Sequence, residues 1–211
     1  KPASRGSSAA KNTGAEYASG DWLCFADADI LHLPDCFVSL KETAEQWRRE
    51  GESRILLNVW RVSLPQDYPQ HRLSDVERLL ESCRVAGLLE DEALATPKCF
   101  YEQNCGMMPA ALFREIGGYD ADTFKSWGYN NQDCCLRVVA AGGRLSSAIR
   151  RLSSPDRRLY CFHPWHEAAR DEATREQEFC AKWGTTWHHS LVRRVEQRLE
   201  EAYEQQQVRA V

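Results

Sequence analysis

The feature that most constrains the fold is a short apolar run, Trp22–Ala26, that stops at Asp27-Ala28-Asp29. A run that is apolar at every position suits a strand whose two faces are both covered, as in a parallel sheet. Further runs of strand length occur at residues 54–62 and 159–162. Helical patterns separate these runs, and this alternation predicts an α/β fold in which helices flank a mixed, mostly parallel sheet.

Four helices are predicted between and after these strands. One begins at Pro34, and the others cover residues 72–94, 109–116 and 133–141. Proline suits a first helical turn and glycine suits the residue after a last one, so Pro109 and the pairs Gly117-Gly118 and Gly142-Gly143 support these ends. The stripe of the helix after Pro34 is expected to contain Phe37, Leu40, Ala44 and Trp47.

Length and composition predict one globular domain with a tail. The 211 residues suit a domain over residues 1–170 followed by a helical extension over 171–211. The net charge of -4 argues against nucleic acid as the main partner. With no apolar run near the roughly 20 residues needed to cross a bilayer, we expect a cytoplasmic location, with peripheral association at the inner face of the membrane or within a complex left open.

The carboxylates of Asp27 and Asp29 are candidate metal ligands. They follow a strand, where open α/β sheets place their ligands. Two carboxylates at i and i+2 beside a turn can converge on one divalent ion, and Mg²⁺ and Mn²⁺ prefer oxygen donors. The alternative is a chance Asp-x-Asp in a solvated turn.

Two imidazoles three residues apart, His163 and His166, follow the last predicted strand. Neutral imidazole is a good ligand for Mn²⁺-like cations. The alternative is that one histidine bonds a backbone carbonyl while the other is solvated. The nine cysteines form no Cys-x-x-Cys pair, which favours buried reduced thiols over a zinc site.

Four segments in this order resemble family 2 glycosyltransferases of the GT-A fold. Residues 5–16 (RGSSAAKNTGAE) are similar to that family's Ala-Arg-Asn-x-Gly segment, and they precede the strand with its Asp-x-Asp. Residues 113–120 (FREIGGYD) resemble Phe-x-x-Ile-Gly-Gly-Phe-Asp. Residues 127–137 (WGYNNQDCCLR) resemble Trp-Gly-Gly-Glu-Asp-x-Asp-Leu-x-x-Arg. The histidine pair follows where related galactosyl- and N-acetylgalactosaminyltransferases place a metal ligand.

The resemblance implies a role for individual residues. Asp29 is the principal metal ligand for Mn²⁺ or Mg²⁺, Asp27 faces the ribose or the ion, and His163 or His166 completes the coordination. The residues implied to contact the donor nucleotide sugar are Arg5, Lys11, Asn12, Asp27, Gly106 and Trp127, with Arg5 and Lys11 near the diphosphate and Trp127 in the sugar-binding wall.

Two departures from the family pattern bear on activity. Asn130 and Asn131 occupy the Glu-Asp positions, of which the second supplies the general base in inverting members. An amide cannot take a proton at neutral pH, which leaves Asp133 as a candidate. The family's opening strand-helix units also have no counterpart before Lys1, so the GT-A-like fold is expected to be truncated at its N-terminus.

The combined expectation is a metal-dependent enzyme that moves a hexose or N-acetylhexosamine from a UDP-sugar to a glycan or glycoconjugate acceptor in polysaccharide synthesis. Whether it inverts or retains the anomeric configuration is left open. The main alternative is a catalytically impaired, glycan-binding remnant of the same fold. A dehalogenase-like phosphatase is disfavoured because Leu31 stands where that Asp-x-Asp motif continues with Thr or Val.

Overall fold

The computed structural model describes residues 6–68, 75–85, 105–125, 129–147, 159–165 and 172–186. Its strands are β1 (Trp22–Ala26), β2 (Leu31–His32), β3 (Ile55–Asn58), β4 (Trp60–Ser63), β5 (Cys105–Pro109), β6 (Arg144–Ser147) and β7 (Tyr160–His163). Its helices are α1 (Gly6–Tyr17), α2 (Cys36–Arg49), α3 (Val76–Val85), α4 (Ala110–Glu115), α5 (Asn130–Ala140) and α6 (Glu172–Trp183). The predicted α/β fold with helices around mixed sheets is confirmed.

The larger sheet has the strand order β1-β5-β3-β6. Strand β5 runs antiparallel to both of its neighbours, whereas β3 and β6 are parallel. Across the two sheets of the described strands, three of the five pairings are antiparallel. The expectation of a mostly parallel sheet is therefore wrong. The reason is that β5 returns between two strands that an earlier part of the chain supplies.

The smaller sheet has the order β2-β7-β4 and explains how one predicted strand became two. The run at residues 54–62 is divided at Val59, with β3 in the larger sheet and β4 in the smaller one. The amide of Val59 donates to the Cys105 carbonyl at 2.9 Å, and its side chain is buried. Buried apolar residues lie on both sides of the division, so the sequence pattern does not reveal the change of sheet.

Helix α2 packs on the larger sheet mainly as predicted. Leu40, Ala44 and Trp47 are buried, but Phe37 is 45% exposed, so its assignment to the core stripe is wrong. The Phe37 ring instead contacts the His32 ring, with 4.8 Å between their centroids. A residue in the first helical turn can lie beyond the edge of the sheet that the later turns cover.

The other helices agree with prediction to within a few residues where the structure describes them. Helix α4 matches closely, and α5 begins at Asn130, three residues before the predicted start. The predicted helix at 72–94 contains α3, and its remaining residues fall mostly outside the described part. Six of the eight described cysteines are buried, as expected for reduced thiols, but Cys24 is exposed. None of the described helices combines the length and apolar character needed to span a membrane.

Candidate functional site at the end of β1

Asp29 and His163 are brought together by the smaller sheet. Antiparallel pairing sets Leu31 opposite Phe162, so the residues just before β2 lie beside the end of β7. The Asp29 Oδ2 and His163 Nε2 atoms are 3.6 Å apart, and half of the Asp29 side chain is exposed. Two predicted metal ligands from distant parts of the sequence therefore meet at one surface.

This pair fits a shared divalent ion. Oxygen and nitrogen donors bind Mn²⁺-like or Mg²⁺-like ions at about 2.0–2.2 Å, and one ion can span 3.6 Å between two such donors. The described residues contain no group of three or more His, Cys, Asp or Glu side chains that could hold a metal ion, so Asp27 does not complete such a group with this pair. Mg²⁺ is usually bound through one or two protein carboxylates, with water or phosphate oxygens as its other ligands.

Asp27 lies at the same end of β1 but has a cationic neighbour. The Lys11 Nζ is 3.2 Å from Asp27 Oδ1, and the lysine side chain is only 13% exposed. The same ammonium donates to Asn131 Oδ1 at 3.3 Å and lies 5.2 Å from the centre of the Tyr119 ring. Lys11 therefore joins α1, the end of β1 and the start of α5.

The uncharged ring of Tyr119 lies next to the Lys11 ammonium. Burial, and then the neighbouring thiols of Cys134 and Cys135, raise the pKa of the Tyr119 hydroxyl well above its ordinary value. The phenol stays protonated at neutral pH, so the ring contributes a cation–π contact without a charge.

The two asparagines at the start of α5 have different environments. Asn131 is partly exposed and accepts from Lys11, whereas Asn130 is 2% exposed and donates to the Ser7 hydroxyl at 3.1 Å. Of the two, Asn131 is therefore the side chain that can reach a ligand.

Asp133 is enclosed by donors. Its Oδ2 accepts from Arg137 Nε at 2.9 Å, and its Oδ1 accepts from Lys182 at 2.7 Å and from the Trp183 indole at 3.0 Å. The side chain is fully buried. These contacts tie α6 to α5, and the geometry favours a structural role for Asp133 over proton transfer to a substrate.

Asn12 makes a two-way contact with the backbone of Tyr119. Its amide nitrogen donates to the Tyr119 carbonyl at 2.7 Å, and its oxygen accepts from the Tyr119 amide at 2.8 Å. Gly118 has a φ of +70°, and a Cβ there would lie 2.8 Å from the Asn12 oxygen. The family-like segments at residues 5–16 and 113–120 thus pack on each other, and the polar atoms of Asn12 face the protein.

The absence of a side chain at Gly106 in β5 makes room for Asn58, a residue that the sequence analysis did not identify as a site residue. A Cβ at Gly106 would lie 2.5 Å from the Oδ1 of Asn58, which is fully buried at the end of β3. The signal that could have revealed it is an asparagine inside the apolar run at residues 54–62. Tyr119 was missed as well, although it lies in the family-like segment at residues 113–120.

A cavity of about 560 Å³ lies between α1 and β1 and is lined by Lys11, Asp27 and the residues of β1. This volume is within the usual range of small-molecule sites.

Arg5, Trp127 and His166 fall outside the described residues, so their predicted roles stay predictions. The predicted roles of the described residues also stay predictions, although Lys11, Asp27, Asp29, Asn131 and His163 lie at the same end of the two sheets.

The mixed α/β fold, with helices around its sheets, is consistent with a GT-A-like domain. Among protein families, glycosyl transferase family 2 matches residues 1–116. Because this match covers more than half of the 211 residues, the chain belongs to glycosyl transferase family 2. The comparison with curated proteins found no match. Membership supports glycosyltransferase activity, and the family generally uses nucleotide-sugar donors and glycan acceptors.

Proposed function

We propose that the protein is a metal-dependent glycosyltransferase that moves a hexose or N-acetylhexosamine from a UDP-sugar to a glycan or glycoconjugate. The observation that carries this proposal is the approach of Asp29 to His163, 3.6 Å apart, at the end of β1. Together with family membership, it supports a site for Mn²⁺ or Mg²⁺ where a donor diphosphate can bind.

In this proposal, Asp29 and His163 hold the cation and Lys11 binds the diphosphate. A cation held by these two residues would neutralise charge that develops on the departing diphosphate. Lys11 can shift from Asp27 to a phosphate oxygen, because an ammonium on a flexible stem makes charge-assisted hydrogen bonds in several directions. The release of Asp27 leaves its carboxylate to bind the ribose or the ion.

Asn131 has a positioning role for the acceptor in this scheme. Its oxygen accepts from Lys11, which leaves its NH₂ group to donate to an acceptor or sugar oxygen. An amide cannot remove a proton, so Asn131 orients the acceptor hydroxyl without deprotonating it. An NMR measurement of the anomeric configuration of the product would decide between inversion and retention.

The test is an assay of turnover with UDP-hexoses and UDP-N-acetylhexosamines in the presence of Mn²⁺ or Mg²⁺. The quantity measured is the rate at which UDP is released. Asp29→Ala should lower kcat/KM at least about 100-fold, or roughly 2.7 kcal/mol of transition-state stabilisation. The matched control is Asp67→Ala, at an exposed acidic residue outside the site, which should retain activity. Equal turnover by Asp29→Ala and the wild type would contradict the proposal.

The second candidate is a glycan-binding protein of the same fold that no longer transfers sugar. The amide at Asn131 favours it, because the usual base position carries no basic atom. The same assay separates the two. Absence of turnover with every donor, together with retained binding of an acceptor glycan, would favour the binding protein.

A further inference from the structure

We propose a second ligand site, for a saccharide that bears a carboxylate, at the opposite end of β1. A cavity of about 350 Å³ lies there between the Trp22 end of β1, the last turn of α2 and the start of α4. The five-residue strand places its Trp22 end about 15 Å from Asp27, and Trp22 lines both this cavity and the one beside α1. Its volume is at the lower end of the range for ligand pockets, about 300–1,000 Å³.

Two arginines from different helices supply the cationic part of this cavity. Arg48 comes from the last turn of α2, and Arg114 comes from α4. Neither makes an ion pair with the part of the chain that the structure describes. A guanidinium presents paired donors in one plane, which suits a carboxylate or another planar oxyanion.

The neighbouring arginines show that this is a local difference. Arg54 makes two hydrogen bonds of 2.8 Å with Glu115, and Arg144 pairs with Glu52. Carboxylates thus neutralise the arginines beside the cavity, whereas the two that line it have no such partner among the described residues.

The rest of the lining favours a sugar acid over a simple anion. Asp21, Ser19 and Ser53 add one carboxylate and two hydroxyls, and Trp22 adds a partly exposed indole. A carboxylate accepts hydrogen bonds from sugar hydroxyls, and an aromatic ring can stack on a sugar, whereas a simple anion can use neither group. The first amide of α4 donates to the Asp21 carbonyl at 2.8 Å, so the hydrogen bonds to a ligand would come from side chains.

This site goes beyond the proposed transfer reaction and does not depend on it. A carboxylate-bearing glycan held here would be retained by the protein while another part of it reached the end of β1. The inference concerns binding, so it can be tested without activity.

The experiment is isothermal titration of the full chain with glucuronate, glucose and inorganic phosphate at constant ionic strength. Glucuronate should bind with a millimolar Kd, more tightly than glucose or phosphate. The double variant Arg48→Gln/Arg114→Gln should weaken glucuronate binding at least tenfold. Because both arginines are exposed, circular dichroism should show an unchanged fold.

Two control variants separate binding in this cavity from a general effect of surface charge and from binding at the other end of β1. Arg49→Gln removes an exposed arginine of the same helical turn that does not line the cavity, and should leave the affinity unchanged. Asp29→Ala should also leave it unchanged, whether or not that variant loses transfer activity. The inference is overturned if glucuronate does not bind, if glucose or phosphate binds as tightly, or if either control loses affinity as the double variant does.

Discussion

The end of β1 and the start of α5 are neighbouring regions whose acidic side chains differ in burial and in hydrogen bonding. At the end of β1, the Asp29 side chain is half exposed and Asp27 is 24% exposed beside a cavity. At the start of α5, Asp133 is fully buried and receives hydrogen bonds from three side chains. Acidic residues of similar sequence appearance therefore divide into a group that can bind a ligand and a group that holds the scaffold.

The contacts and burial of a carboxylate, more than its motif, indicate its role. A carboxylate that is partly exposed beside a cavity is accessible to a cation or substrate. A carboxylate enclosed by two cations and an indole has none to offer, and its loss leaves charges unpaired. Substitutions in the two regions should consequently separate activity from stability.

The largest expected effect is that of Asp133→Ala on stability. Removing one member of a buried ion-pair cluster leaves Arg137 and Lys182 without their shared partner, which should cost about 3–5 kcal/mol of unfolding free energy. Urea denaturation would measure it, with Asp67→Ala as the exposed control. A loss below about 1 kcal/mol would remove the distinction between the two regions.

Asn12→Ala should have the next largest effect. The substitution leaves the amide and the carbonyl of Tyr119 without their partner, at a cost of about 1–3 kcal/mol. Thr13→Ala, on the exposed side of the same helix, should change stability by less than about 0.5 kcal/mol. If both variants unfold at the same urea concentration, the hydrogen bonds of Asn12 to the Tyr119 backbone do not stabilise the fold.

A smaller effect should appear on acidification through Asp120. Burial alone would raise the pKa of Asp120, but the Lys182 ammonium and the donors of Thr123 hold that pKa well below its ordinary value. The stability contributed by the Asp120 carboxylate is therefore fully present above an unfolded-state pKa of about 3.9 and is lost as the pH falls through the folded-state pKa.

Comparison of the wild type with Asp120→Asn tests this sign. The wild type should be the more stable protein at pH 6, and its advantage should shrink as the pH is lowered from 4 toward 2. Urea unfolding at each pH would measure the difference. An advantage that is constant or grows on acidification would show that Asp120 is not held in its charged form.

The smallest effect is expected for Arg54→Gln. Arg54 makes two hydrogen bonds to Glu115 at the surface and also donates to the Ala141 carbonyl, and exposed ion pairs contribute little to stability. Thermal unfolding in low and high salt should therefore differ little between this variant and the wild type. A loss of stability as large as that of Asn12→Ala would place Arg54 with the buried scaffold.

The sequence predicted local features well because they depend on neighbouring residues. The apolar run of β1 and the Pro109 and Gly117 limits of α4 follow from burial, proline φ and glycine φ. The fold class also agreed with expectation, because the family resemblance supplied the long-range arrangement, whereas the shared metal role of Asp29 and His163 stays a prediction.

Features that depend on distant partners could not be predicted. The division at Val59 depends on which strand pairs with each half of one apolar run, and the antiparallel course of β5 depends on strands supplied much earlier. Asn130 and Asn131 are adjacent and chemically identical, but helix geometry turns one toward Ser7 and the other toward Lys11. The burial of Asp133 required the position of α6.

The proposed metal site is tested most directly by titrating the protein with Mn²⁺ in the presence of UDP. The electron paramagnetic resonance signal of free Mn²⁺ measures how much of the ion is bound. The wild type should bind one ion, and Asp29→Ala and His163→Ala should each weaken binding at least about tenfold, with Asp67→Ala unchanged. Unchanged affinity in either ligand variant, or no binding by the wild type, would contradict a metal site at the end of β1.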